Sequence, residues 1–96
     1  MKFLITWQVH EDQRHEVLRT FAGMSEADDR ADMGGKVKLI GRWHDLATFS
    51  GVAIAECDDA AALFDWAMNW NAAMDIDVTP VLDDAEARAL GQKRAG

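Results

Sequence analysis

The feature that most constrains the fold is a repeated switch between two hydrophobic periods along a chain of 96 residues. Apolar side chains at every second position predict four β-strands, at residues 2–9, 36–44, 51–57 and 75–82. Apolar side chains at helical spacing predict two helices, at residues 11–23 and 58–73, the second capped by Asp58. The chain is long enough for one domain and too short for two. The predicted order is therefore β-α-β-β-α-β.

This order is the split βαβ, or ferredoxin-like, pattern. It predicts an α+β protein with a four-stranded antiparallel sheet that its helices cover on one face. We expect this protomer to span residues 1–84 and residues 85–96 to form a C-terminal helical extension that frays after Leu90. Pro80 predicts an edge position for the last strand, because proline has no N–H group to donate to a sheet. The acidic segment 25–35 is predicted to combine an extra helical turn with a mobile loop.

The face of the sheet away from the helices carries a mixture of apolar, polar and charged side chains. Strict alternation assigns seven side chains to it: Leu4, Thr6, Gln8, Ile40, Arg42, His44 and Val81. Such a surface is too apolar to be left wholly in water, and a second copy of the chain would cover it. The sequence therefore predicts a homodimer.

Complementary charges on the two edge strands support that dimer. Lys36, Lys38 and Arg42 belong to the second strand, and Asp75 and Asp77 to the fourth. Opposite charges favour the pairing of unlike edges and disfavour the pairing of like edges. We expect these five residues to lie at the dimer interface.

Three sequence motifs carry a family resemblance. They are the runs Gly41-Arg42-Trp43-His44-Asp45, Asp65-Trp66-Ala67-Met68-Asn69-Trp70, and Val78-Thr79-Pro80-Val81-Leu82-Asp83-Asp84. Together they resemble an uncharacterised bacterial family, labelled only as a domain of unknown function, of the dimeric α+β barrel superfamily. The resemblance runs from Phe3 to Asp84 and implies a ferredoxin-like protomer whose sheet packs against a twin to form a barrel. Related families include cofactor-free monooxygenases, lactone isomerases and haem-degrading proteins, but none of their catalytic motifs is present here.

Arg42, His44 and Glu56 are the candidate catalytic residues. A guanidinium beside an imidazole can hold a carboxylate or stabilise an enolate, with His44 as acid or base. The alternative is an interface network in which Arg42 pairs with an aspartate of the partner. Glu56 alternates with Val52 and Ile54, which would point it inward as a general base with a raised pKa. Its alternative position is solvated, at the end of the strand.

The four tryptophans are the candidate ligand-binding residues. Trp7, Trp43, Trp66 and Trp70 are all predicted to point into the space between sheet and helices, with Asn69 as a partner for a buried indole N–H group. They would either line a cleft for a planar hydrophobic molecule or simply fill the core.

Composition excludes several classes of function. Seventeen acidic against ten basic residues give a net charge of −7, which argues against binding to nucleic acid. No apolar run approaches the roughly 20 residues that span a bilayer. A single cysteine fits a reducing cytoplasm. No zinc-ligand spacing or phosphate-binding loop occurs, so neither a metal nor a cofactor is predicted.

These observations predict a cytoplasmic homodimer that either binds a small apolar or aromatic molecule in a cleft between sheet and helices or has only a structural or sensing role. One alternative is a cofactor-independent monooxygenase or isomerase that uses His44, Arg42 and Glu56. The other is a non-catalytic interaction module that pairs by strand addition.

Overall fold

A four-stranded antiparallel sheet organises the computed structural model, which describes all residues 1–96. Its strands are β1 (Lys2–Val9), β2 (Lys38–Asp45), β3 (Ser50–Glu56) and β4 (Met74–Val81). The helices are α1 (Arg14–Ala22), α2 (Glu26–Met33), α3 (Ala60–Met68) and α4 (Asp84–Ala95), and a 3-10 turn at Glu11–Gln13 leads into α1. The strand order β2-β3-β1-β4 confirms the ferredoxin-like prediction and places β2 and β4 at the edges.

The core lies where α3 packs on the centre of the sheet. Phe3 and Ile5 of β1 lie opposite Ala55 and Ala53 of β3, and Leu63 of α3 completes this buried cluster. Large side chains on one strand beside alanines on the next let a helix approach the sheet closely. Further along the same face, α1 has no fully buried residue. The helix-covered face is therefore tightly packed beneath α3 and loosely packed beneath α1.

A β-bulge at Ile40 interrupts the alternation of β2. Leu39 lies opposite Ala55, but the next paired residue, opposite Ile54, is Gly41. Ile40 is thus an extra residue without a partner on β3. A one-residue insertion moves every following side chain to the other face of the sheet.

The bulge places three candidate residues on faces opposite to those predicted. Arg42 and His44 lie on the helix-covered face of the sheet. Arg42 lies opposite the buried Ala53 of β3. His44 lies next to Trp7 of β1. Trp43 lies on the other face and is 61% exposed. Its ring lies over Gly41, where any side chain would collide with it. The prediction from strict alternation was wrong for all three, because it assumed an uninterrupted strand.

The segment 25–35, predicted as part turn and part mobile loop, forms the complete helix α2 instead. The Ser25 side chain accepts a hydrogen bond from the Asp28 backbone N–H (3.1 Å), and the Asp28 carboxylate accepts one from the Ser25 N–H (2.9 Å). This capping box satisfies two N–H groups that a helix end leaves free. Gly34, with φ 84°, ends the helix in a conformation that favours glycine.

Three helix ends differ from the prediction. Asp59, and not Asp58, caps α3, while Asp58 accepts a hydrogen bond from the N-terminal amino group (3.2 Å). Helix α3 ends at Met68 and continues as turns, earlier than predicted. Helix α4 continues to Ala95, past the predicted fraying point at Leu90, and is exposed along its whole length. None of the helices combines the length and the hydrophobicity needed to cross a bilayer.

Candidate functional site

A cavity of about 110 Å³ lies between the sheet and helices α1, α2 and α3. Its wall is mostly hydrocarbon and includes Ile5, Trp7, Phe21, Phe49, Trp66 and Trp70. For comparison, an engineered apolar cavity of about 150 Å³ binds benzene. The cavity described here is smaller than that one and partly open to solvent, so it can hold at most one aromatic ring.

Three of the four tryptophans predicted to bind a ligand line this cavity. Trp7 enters it from β1, and Trp66 and Trp70 enter from α3 and the turn that follows. Trp43 does not, because the bulge turns it to the other face of the sheet. The predicted orientation toward the space between sheet and helices was therefore wrong for Trp43 and right for the other three tryptophans.

Asp32 of α2 binds the polar edges of two of these rings. Its Oδ2 accepts hydrogen bonds from the indole N–H groups of Trp66 (3.1 Å) and Trp70 (2.7 Å). The Asn69 side chain donates to Oδ1 of the same carboxylate (3.1 Å). Asn69 thus contacts Asp32 and not the indoles for which it was a predicted partner. Because both N–H groups are satisfied, these two rings offer no free hydrogen-bond donor to the cavity.

Arg42 and Asp29 form an ion pair in the cavity wall. The guanidinium donates from Nη2 to Asp29 Oδ2 (2.7 Å) and from Nη1 to Oδ1 (3.2 Å). The side chains are only 17% and 19% exposed, and the guanidinium lies 4.9 Å from the centre of the Phe21 ring. Bidentate charged hydrogen bonds and contact with an aromatic face both fix its orientation. Within this chain, Arg42 therefore pairs with an aspartate of α2, whereas the interface interpretation assigned it one from a partner.

His44 lies beside Arg42 in the same wall. Its ring centre is 5.5 Å from that of Trp7 and 4.9 Å from that of Phe21. Partial desolvation, and then the nearby charge of Arg42, lower the pKa of His44 below its ordinary value of 6.5, although more than a third of the residue remains exposed. The imidazole is consequently neutral at pH 7 and has one ring nitrogen that can accept a hydrogen bond.

Glu56, the third predicted catalytic residue, is not part of this cavity. It does alternate with Val52 and Ile54, but that side of β3 is the face away from the helices. There it lies opposite Lys2 on one neighbouring strand and Lys38 on the other. The inward position predicted for a general base was therefore wrong. No group of three His, Cys, Asp or Glu side chains is close enough to hold a metal ion.

Several of the predicted interface charges have partners inside the chain. Lys36 forms an ion pair with the carboxylate that caps α3 (3.1 Å), and Asp75 lies 3.0 Å from the His10 ring nitrogen. Lys38 on β2 and Asp77 on β4 form no ion pair and lie on opposite edges of the sheet.

Asp29 and Asp32, which bind the polar groups of the site, were not predicted from the sequence. Their spacing of three residues places both on one face of a helix, a signal that was available once α2 is recognised as a helix. The bulge in β2 was not predicted either, although glycine inside a strand pattern, here Gly41, often marks a bulge.

Comparison with known proteins gives one result. No curated protein and no solved structure matches the chain significantly. A family profile does match, over residues 1–95, which confirms the resemblance to an uncharacterised family. The chain belongs to the family described as a domain of unknown function, DUF3303.

Proposed function

We propose that this protein binds a small planar apolar molecule, one aromatic ring in size, between its sheet and helices. The supporting observation is the cavity itself, lined by Trp7, Trp66 and Trp70. The cavity is partly open to solvent, and a concave site of this kind with a mostly apolar wall is the usual form of a small-molecule site. The hydrogen bonds of Asp32 hold two of the rings at the cavity edge, where they are available to a ligand.

Toluene is expected to bind in this cavity, and the four indole N–H signals of the ¹⁵N-labelled protein report on it separately. We expect the signals of Trp7, Trp66 and Trp70 to shift in a saturable way as toluene is added. Trp43 is an internal control, because it lies on the other face of the sheet, and its signal should stay in place. Shifts of equal size at all four tryptophans, or at none, would contradict the proposal.

Catalysis is the second use that this cavity supports. A neutral imidazole beside a guanidinium can take up a proton while the cation stabilises the anion that forms. Arg42 and His44 have this arrangement, and Glu56 takes no part in it. A cofactor-independent monooxygenase or isomerase would therefore depend on His44 alone as the base. Binding is favoured here, because it requires only the shape and composition of the cavity.

We also propose that a second copy of the chain covers the open face, the face of the sheet opposite the cavity. The apolar side chains of Leu4, Ile54 and Trp43 lie on this face. At its edges lie Lys38, whose cross-strand neighbour is Glu56, and Asp77, and neither forms an ion pair within the chain. A two-fold axis would bring each unpaired lysine to the partner's unpaired aspartate, which favours a dimer over other partners.

Sedimentation at micromolar concentration tests this dimer. Asp77→Lys places like charges together at two symmetry-related contacts and is expected to weaken association about tenfold. The double variant Lys38→Asp/Asp77→Lys restores opposite charges and should recover most of the lost affinity. A monomeric wild-type protein at this concentration would contradict the proposal.

We further propose a cytoplasmic location. Cys57 is a buried free thiol whose Sγ donates a hydrogen bond to the Asp59 carbonyl (3.1 Å). Unpaired thiols of this kind are typical of reducing compartments.

A further inference from the structure

We infer that the ligand is an aromatic acid, and that Asp29 occupies the subsite for its carboxylate on Arg42 until the ligand displaces it. This inference rests on the proposed function, because it names the chemical class of molecule for the same cavity. The aromatic ring would lie against the tryptophans, and the carboxylate would take the place of the Asp29 side chain.

The geometry of the Arg42–Asp29 pair shows that this part of the wall binds a carboxylate. The two terminal nitrogens of the guanidinium each donate to one carboxylate oxygen, at 2.7 and 3.2 Å. A planar guanidinium offers its donors at the spacing of a carboxylate, and contact with Phe21 holds it in that orientation. The remaining N–H groups of Arg42 have no acceptor in the protein. The side chain is only 17% exposed, so little water reaches these groups. They are free to donate to a ligand.

The two members of the pair differ in how firmly the fold holds them. Arg42 belongs to β2, which pairs with β3 along its length. Asp29 belongs to α2, whose only buried residue is Met33, and Asp32 holds this helix to the fold independently of Asp29. Moving Asp29 into water would therefore expose little apolar surface, and the freed carboxylate would be hydrated. An external acid has the added advantage of burying its ring in the cavity.

Benzoate and benzamide form a matched pair of probes, since they have the same ring and nearly the same shape but differ in charge. In Asp29→Asn the internal competitor loses its charge, so benzoate affinity should rise about tenfold or more. Benzamide affinity should change less than about twofold. Glu26→Gln is the control, because it removes the same charge from an exposed position on the same helix. It corrects for the general effect of net charge on an anion.

Three measurements test the inference and the proposed function on which it rests: the benzoate affinity of the two variants, the amide shifts of α2 in the wild-type protein, and the binding of toluene. A benzoate gain confined to Asp29→Asn supports the inference, and an equal gain in Glu26→Gln, or none in either variant, overturns it. In the wild-type protein, benzoate should shift the backbone amide signals of α2 more than toluene does, and equal shifts would also overturn it. Toluene binding tests the proposed function separately, so the cavity can be confirmed while its carboxylate subsite is rejected. The amide spectrum of each variant verifies that it is folded.

Discussion

Leu63→Ala is expected to lower the free energy of unfolding by about 3 kcal/mol. Leu63 is 1% exposed and packs with Phe3 and Ile5 at the centre of the core. The deleted atoms also border the cavity between sheet and helices, so the new void adds to existing empty space that the neighbouring side chains cannot easily fill. The cost of such substitutions rises with the volume that remains empty. Urea unfolding measures this difference in the free energy of unfolding, provided that its dependence on urea concentration, the m-value, is the same for both proteins.

Two further measurements identify the cause of this loss. Leu90→Ala, at a 51% exposed position on α4, removes the same atoms and should change stability by less than about 0.5 kcal/mol. Toluene should recover part of the stability lost in Leu63→Ala, because it binds the folded state and fills the enlarged cavity. A loss below about 1 kcal/mol would show that the core is not packed around this residue.

Asp32→Ala is expected to destabilise the protein by about 2 kcal/mol. It leaves the indole N–H groups of Trp66 and Trp70 without an acceptor, and both lie in a partly buried position. It also removes one of the two carboxylates that connect α2 to the rest of the molecule; the other is Asp29. The indole signals of Trp66 and Trp70 should move upfield as their hydrogen bonds are lost, while that of Trp43 should not.

Two control variants are matched to Asp32→Ala: a milder substitution at the same position and the removal of a carboxylate from an exposed position on α3. Asp32→Asn keeps an acceptor oxygen and should cost less than the alanine variant. Asp65→Ala removes an exposed carboxylate of α3 that makes no hydrogen bond, and should change stability by less than about 0.5 kcal/mol. If Asp32→Ala left stability unchanged, the hydrogen bonds to the indoles would be no better than hydration of those groups.

The sequence alone was sufficient to predict those structural elements that are determined by interactions between neighbouring residues. The bounds of β1 agree with prediction at both ends, because period-two alternation runs without interruption from Lys2 to Val9. The order of elements and the limited ways of packing two helices on four strands then determine the sheet topology. The edge position of β4 was likewise predictable, because Pro80 lacks an N–H group.

The composition of the site was decided by tertiary structure. Whether Arg42 faces the helices or the opposite side depends on one unpaired residue, Ile40, and therefore on how β2 pairs with β3. The contacts of Asp29 and Asp32 depend on where α2 packs, which no periodicity within α2 specifies. Secondary structure follows mainly from neighbours in the chain, and the sequence alone predicted the four strands, α1 and α3, but not the full length of α2 and α4. Strand register and helix placement follow from contacts between distant segments of the chain. The proximity of Arg42, Asp29 and Asp32 to the tryptophans is therefore seen only in the folded structure.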